Sequence, residues 1–137
     1  SLKSSHNMLT QKIMGYKSVA ITCLDTRHVG GASAGLLCTG KKFIGAGVSN
    51  GCLYMEIGGN RTVMGKVRPG LLWLKLDIDV SANKFQYAYS TDGKRFKKLG
   101  LPFSMQTGYW KGVRVGLYCY GTSGKAQFDY FRYKIQR

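Results

Sequence analysis

The sequence predicts an all-β fold, built either as a sandwich or as a barrel. Alternating apolar and polar residues recur along the chain, whereas apolar residues at helical spacing are absent. The alternating runs are short, and turns rich in glycine and asparagine separate them. About ten short strands at this spacing are typical of one sandwich or barrel. With 137 residues, the chain is long enough for one domain with a real core.

The predicted strands follow one another without an internal repeat or a linker. In chain order they are 18–25, 34–39, 42–48, 52–57, 62–67, 71–80, 84–90, 95–99, 113–120 and 125–135. Asn50-Gly51 and Asp92-Gly93 predict two-residue hairpin turns, because these residue types accept positive φ angles. No helix follows Asp92-Gly93 and the glycine spacing of a phosphate loop is missing, so we interpret this stretch as a turn.

The alternation also assigns side chains to the two faces of each strand. It predicts a core that includes Leu72, Leu74, Leu76, Val113, Val115 and Leu117. The same alternation places large aromatic residues on polar faces, namely Tyr54, Trp73, Tyr118 and Tyr120. One interpretation is a sugar platform, with rings that stack on pyranose C–H faces and polar neighbours that bind hydroxyls. The other is that a loop or a second domain covers the rings. The residues alone favour neither.

The net charge of +15, from 21 Lys and Arg against 6 acidic residues, has two interpretations. Such an excess attracts polyanions, including nucleic acid, acidic polysaccharide and membrane surfaces. We favour a solvated face whose acidic neighbour lies elsewhere in a larger protein, because no nucleic-acid-binding motif accompanies the charge. No apolar run approaches the roughly 18 residues of a membrane-spanning helix. We therefore expect neither nucleic acid nor membrane as a partner.

The cysteines and carboxylates predict no cofactor and no catalytic activity. Cys23, Cys38, Cys52 and Cys119 form no C-x-x-C pair, which argues against zinc and favours buried thiols over disulfides. Asp77 and Asp79 lie on one strand face, so a solvated pair or a calcium ligand fits better than opposed glycosidase carboxyls. Calcium stays open. Both histidines lie in the first quarter of the chain, and no serine or cysteine has an obvious histidine partner.

Several motifs together resemble the C-terminal β-sandwich module of family 43 glycoside hydrolases. They are Asn7-Met8-Leu9-Thr10-Gln11-Lys12, Ala34-Gly35-Leu36, Tyr89-Ser90-Thr91-Asp92-Gly93 with Phe96, Trp110-Lys111-Gly112-Val113-Arg114-Val115-Gly116-Leu117, and Ala126-Gln127-Phe128-Asp129-Tyr130-Phe131-Arg132-Tyr133. The fourth is similar to the family's F-T-G-x-x-V-G-L and the fifth to its A-x-F-D-x-F-x-Y. The resemblance rests on the five motifs in this order across nearly the whole chain.

The resemblance implies a concanavalin A-like jelly roll, which is an antiparallel two-sheet β-sandwich. In that family the module follows a five-bladed propeller that carries the catalytic acids, and some members bind xylan. The aromatic residue of F-T-G, at the position of Trp110, helps to wall the catalytic pocket in the xylosidases. The ligand-binding candidates are therefore Trp73, Trp110, Tyr118 and Tyr120 for stacking, with Arg114, Glu56 and Tyr54 beside them.

Two departures from the family pattern affect these expectations. The family module begins some tens of residues earlier, so we expect residues 1–137 to be one sandwich module that lacks the first strand or strands, with an open sheet edge. The +15 charge leaves room for an acidic ligand, such as glucuronate-bearing xylan or pectin, or for an acidic catalytic partner.

The preferred hypothesis is a non-catalytic carbohydrate-binding module of a xylan- or arabinoxylan-degrading hydrolase. The alternatives are a structural domain that completes the pocket of an attached glycosidase, and a basic polyanion-binding domain. The compartment stays open: free cysteines favour a reducing interior, whereas a polysaccharide partner favours, slightly more strongly, an extracellular location.

Overall fold

A computed structural model describes residues 7–40, 42–104, 112–121 and 127–136. These residues form eleven β-strands, and no helix among them is long and apolar enough to cross a bilayer. The strands are β1 (Asn7–Lys12), β2 (Lys17–Asp25), β3 (Ser33–Thr39), β4 (Phe43–Ser49), β5 (Cys52–Ile57), β6 (Asn60–Lys66), β7 (Leu71–Asp79), β8 (Lys84–Ser90), β9 (Lys97–Phe103), β10 (Arg114–Tyr120) and β11 (Gln127–Gln136).

The strands form two sheets. The six-stranded sheet has the order β1-β10-β3-β4-β5-β6, and the five-stranded sheet has the order β11-β2-β7-β8-β9. All neighbouring strands are antiparallel. The predicted antiparallel two-sheet sandwich is therefore confirmed, and the barrel alternative is excluded.

The core lies between the sheets and consists of the residues that alternation placed inward. All six predicted core residues are buried, and Leu74 and Leu76 on β7 are fully covered. Tyr87 on β8 also crosses the core: its hydroxyl lies 2.9 Å from the carbonyl oxygen of Leu36 and 3.1 Å from that of Ile44. This side chain therefore links the five-stranded sheet to the backbone of two strands in the other sheet.

Each predicted strand has a counterpart, but the sequence did not reveal β1. This strand lies at the edge of its sheet, and its apolar residues Met8 and Leu9 are both exposed, so alternation carries little information there. The bounds of β9 also differ from the prediction of 95–99, because the strand continues to Phe103 through Pro102. Proline is tolerated there since β9 is an edge strand.

One predicted hairpin turn is confirmed and the other is wrong. Asn50 and Gly51 join β4 to β5 with φ angles of 52° and 71°, as expected for a two-residue turn. Between β8 and β9, by contrast, residues 91–96 form a wider loop. The Asp92 carboxylate organises this loop by accepting the backbone N–H groups of Arg95 and Lys94 at 2.9 and 2.8 Å. These donors lower the pKa of Asp92 to about 2.

The four cysteines are free thiols in the described structure. Cys23 and Cys38 are buried, whereas Cys52 and Cys119 are half-buried. Burial raises the pKa of Cys38 to about 12. Desolvation and the neighbouring Asp129 carboxylate raise the pKa of Cys23 to about 11. Both thiols are therefore protonated near neutral pH and poorly nucleophilic.

Candidate functional site

The candidate ligand-binding residues lie on two opposite faces of the sandwich. Trp73 points outward from β7 on the five-stranded sheet. The others share the outer face of the six-stranded sheet, and they are Tyr54, Glu56, Arg114, Tyr118 and Tyr120. Trp110 lies outside the described residues. The structure therefore brings five of the seven candidates to one sheet face and separates Trp73 from them.

Two glycines create the space on this face in which the tyrosines pack. Tyr118 on β10, Gly35 on β3, Gly47 on β4 and Tyr54 on β5 are neighbours in one register row. The hydroxyls of the two tyrosines meet above the row at 2.5 Å. A Cβ atom on Gly47 would lie only 2.7 Å from the Tyr118 hydroxyl. Glycine is therefore required where the rings cross the sheet.

Tyr54 and Tyr118 lie on the outer face that alternation predicted, but their rings are covered, because each residue is only 1% exposed. Arg61 lies over the Tyr54 ring at 3.8 Å, and Tyr120 stacks on Tyr118 with ring centres 5.8 Å apart. Leu37 completes this small second core, against which Phe43 packs. Desolvation raises the pKa of both buried hydroxyls. Covered rings offer no stacking surface, so we assign them a supporting role.

A polar network lies above the buried tyrosines and reaches solvent. Arg61 Nη2 donates to Glu56 Oε1 at 2.9 Å and to the Tyr120 hydroxyl at 2.7 Å. The Tyr120 hydroxyl in turn donates to Glu56 Oε1 at 3.3 Å. Tyr120 is half-buried, and the Arg61 side chain is 32% exposed. The network holds one partly open ring next to fixed hydrogen-bonding groups.

Sequence reasoning missed Arg61. Its side chain belongs to the site because the β5–β6 hairpin turns at Gly58-Gly59 and brings Arg61 directly opposite Glu56. The double-glycine turn and the opposite charges at matched positions of the two strands were signals that could have identified the pair.

Arg114 lies on the same face but away from this network. Its Nε donates to Thr10 Oγ1 at 2.8 Å and its Nη2 to the Thr10 carbonyl at 3.2 Å. Six residues separate Arg114 from Tyr120 along β10, which corresponds to about 20 Å of extended strand. Arg114 therefore fastens edge strand β1 to β10, and one pyranose ring cannot contact both Arg114 and Tyr120.

Trp73 is half-buried by its neighbours. Its indole N–H donates to the Tyr130 hydroxyl at 2.9 Å. A Cβ atom on Gly93 would lie 2.9 Å from the indole, so the loop 91–96 packs closely against the ring. Alternation assigned the correct face to Trp73, and the loop covers part of the ring.

Each of the six carboxylates already has a partner. Four form ion pairs with nearby cations: Asp25 with Arg27, Glu56 with Arg61, Asp77 with Lys75, and Asp79 with Lys17. Hydrogen bonds from Arg27 lower the pKa of Asp25 to about 2, as the loop amides do for Asp92. Asp129 accepts a weak hydrogen bond from the Cys23 thiol. No cluster of three or more potential metal ligands occurs within the described ranges.

The chain is similar to known proteins along almost its whole length. The family model described as the β-xylosidase C-terminal concanavalin A-like domain matches residues 1–134. A putative β-xylosidase from Xylanibacter ruminicola is 40% identical over 85% of the chain. A β-xylosidase from Formosa agariphila is 30% identical over 94% of the chain. The chain covers only 22% and 23% of the length of these two relatives.

Solved structures agree with these relationships. A bifunctional GH43-CE protein from Bacteroides eggerthii superposes over 100% of the chain with a TM-score of 0.83 and 26% identity. The chain covers 21% of that protein. Sheep galectin-11 superposes over 96% of the chain with a TM-score of 0.58. Its identity of 11% shows a shared fold and nothing more.

Proposed function

The chain belongs to the family of β-xylosidase C-terminal concanavalin A-like domains, and from this membership we propose that it is a non-catalytic accessory module of a xylan- or arabinoxylan-degrading hydrolase. The chain covers less than a quarter of each β-xylosidase relative, which leaves most of those proteins for other domains. We propose a β-propeller catalytic domain as the partner within the same protein.

The pairing of the carboxylates supports a non-catalytic role. A glycosidase requires two carboxyl groups that face each other across the scissile bond, one of them with a raised pKa. Here the pKa values of Asp25 and Asp92 are lowered instead. Both carboxyl groups are therefore ionised near neutral pH and cannot donate a proton to a leaving group. Glu56, Asp77 and Asp79 are each engaged in an ion pair.

We propose that the module binds neutral xylan or arabinoxylan on the outer face of the six-stranded sheet. The observation that carries this proposal is the network of Tyr120, Arg61 and Glu56, held in place above two buried tyrosines. A partly open ring suits the apolar face of a pyranose, and adjacent fixed polar groups suit its hydroxyls. One such ring predicts weak binding, with a Kd of about 10–1000 μM.

Replacement of Tyr120 or Arg61 by alanine should weaken retention of the chain by neutral arabinoxylan by about tenfold, equivalent to roughly 1.4 kcal/mol. Affinity electrophoresis measures this retention, and circular dichroism checks the fold. Trp73→Ala is the matched control on the opposite face and should change retention by less than about twofold. If Trp73→Ala abolishes retention by arabinoxylan, while Tyr120→Ala and Arg61→Ala leave it unchanged, the glycan binds to the five-stranded sheet instead.

The second candidate function is a pocket wall for an attached catalytic domain. It is favoured by the burial of Tyr54 and Tyr118, which leaves Tyr120 as the one partly open candidate ring on this face of the described structure. The family resemblance assigns the wall to Trp110. In the complete hydrolase, Trp110→Ala should then lower kcat/KM for xylo-oligosaccharides, while arabinoxylan retention by the 137-residue chain stays unchanged. Unchanged kcat/KM would rule this role out.

A further inference from the structure

A second, separate cleft opens between the β6–β7 connection and the β8–β9 loop. Its volume is about 610 Å³, within the range of about 300–1,000 Å³ that is typical of small-ligand sites. The half-buried ring of Tyr89 lines it and packs against the main core. Leu71 adds a partly exposed apolar side chain. The cleft therefore combines a concave shape with an apolar wall.

The charge of this cleft is of one sign. Lys66 and Arg68 line it from one side, and Arg95 and Lys97 from the other. No aspartate or glutamate is among its lining residues in the part of the chain that the structure describes. Asp92 lies in the adjoining loop, where its carboxylate accepts bonds from the loop amides and from Ser90, but it does not line the cleft. The lining residues of the cleft therefore carry four positive charges and no negative charge.

A second depression with several lysines differs in this respect. It has a volume of about 330 Å³ and lies on the five-stranded sheet, where Lys17, Lys84 and Lys98 surround Asp77 and Asp79. Two carboxylates among three lysines leave little net charge in that depression. This depression thus holds carboxylates among its lysines, whereas the larger cleft holds none among its lining residues.

Hydrogen bonds hold both walls of the cleft in place before any ligand arrives. The Val67 N–H donates to the Gly51 carbonyl at 2.9 Å, and the Thr26 N–H donates to the Gly70 carbonyl at 2.8 Å. On the opposite wall, the N–H of Gly93 donates to Ser90 Oγ at 2.9 Å. Because these loops are already ordered, a ligand would bind without a large entropic cost of loop closure.

We propose that this cleft binds a carboxylate-bearing sugar, namely a uronic acid substituent of a polysaccharide. Arg68 and Arg95 supply forked donors that match a carboxylate, Lys66 and Lys97 add positive charge, and Tyr89 faces the sugar ring. This inference rests on the proposed function, because it names the acidic branch of the glycan whose neutral backbone binds elsewhere. A concave cleft with an aromatic wall fits a single sugar better than the broad surface of an acidic protein.

The experiment compares a xylo-oligosaccharide bearing one glucuronic acid with the unsubstituted oligosaccharide of equal length. Calorimetry should give at least about tenfold higher affinity for the acidic ligand in 50 mM salt, equivalent to roughly 1.4 kcal/mol. The double variant Arg68→Gln/Arg95→Gln should remove this difference and leave the affinity for the neutral ligand unchanged. Lys84→Gln/Lys98→Gln removes the same charge from the other depression and should preserve the difference.

Each other outcome overturns the proposal. If the unaltered chain has equal affinity for the two oligosaccharides, the cleft does not bind the uronic acid. The four cations of the cleft would then be assigned to contact with an acidic protein surface. An equal loss in both double variants, with steep salt dependence, would indicate diffuse attraction of polyanions by the +15 charge. Neither result would affect the proposed function, because that function is tested on uncharged arabinoxylan by the Tyr120 and Arg61 variants.

Discussion

Leu74→Ala should lower the free energy of unfolding by about 2–5 kcal/mol. Leu74 lies on β7, the central strand of the five-stranded sheet, and its side chain is 0% exposed. Removal of its terminal carbons loses apolar burial and leaves a cavity between two sheets that cannot collapse freely. Urea denaturation followed by tryptophan fluorescence measures the change, since Trp73 precedes the mutated position on the same strand.

The matched control is the same substitution at Leu101 on edge strand β9. Leu101 is 85% exposed, so Leu101→Ala should change the free energy of unfolding by less than about 0.5 kcal/mol. If the two variants have similar stabilities, the assignment of Leu74 to the inter-sheet core is incorrect. A large loss at Leu74 alone confirms that β7 is the centre of the packed layer.

Alternation correctly predicted which side chains face the core, because the two-residue period of a strand follows from backbone geometry alone. Successive Cβ atoms point to opposite sides, so Leu72, Leu74 and Leu76 share one environment whatever the rest of the fold does. The same reasoning failed for β1, because its successive apolar residues Met8 and Leu9 are both exposed at the sheet edge. Strand existence could therefore be predicted wherever one face meets the core, but not at this edge.

Alternation could not show that Tyr54 and Tyr118 are covered on the outer face. Which face a side chain occupies depends on its own strand, whereas its burial depends on residues from other strands. The signal was present in the glycines, because Gly35, Gly45, Gly47 and Gly116 all lack a side chain on this face. Large residues on neighbouring strands can lie across such positions. Glycines at alternate positions in adjacent strands therefore predict a covered outer face.

The position of the cationic cleft was also beyond sequence reasoning. Its two walls come from residues 66–71 and 89–97, which are separated along the chain by the rest of the β7–β8 hairpin. Net charge alone does not show where cations lack partners. Four of the 21 basic residues line this one cleft, and the wide Asp92 loop that contributes Arg95 was itself mispredicted as a tight turn.

Tyr118→Ala should lower the free energy of unfolding by about 3–5 kcal/mol, although the residue lies outside the main core. Its ring crosses the glycine row of the six-stranded sheet and is only 1% exposed. The neighbouring residues Gly35 and Gly47 have no side chains that could fill the space left by the ring. The variant should also lose arabinoxylan retention, because Tyr120 stacks on Tyr118 and would lose its support.

Tyr118→Phe distinguishes the contribution of the ring to the free energy of unfolding from that of the hydroxyl. It keeps the stacking with Tyr120 but leaves the buried Tyr54 hydroxyl without its 2.5 Å partner, at a cost of about 1–3 kcal/mol. Arabinoxylan retention should then survive at temperatures where the variant is folded, because the Arg61–Glu56–Tyr120 contacts do not include the lost hydroxyl. A phenylalanine variant as unstable as the alanine variant would show that the hydroxyl pair, rather than ring packing, stabilises this face of the sheet.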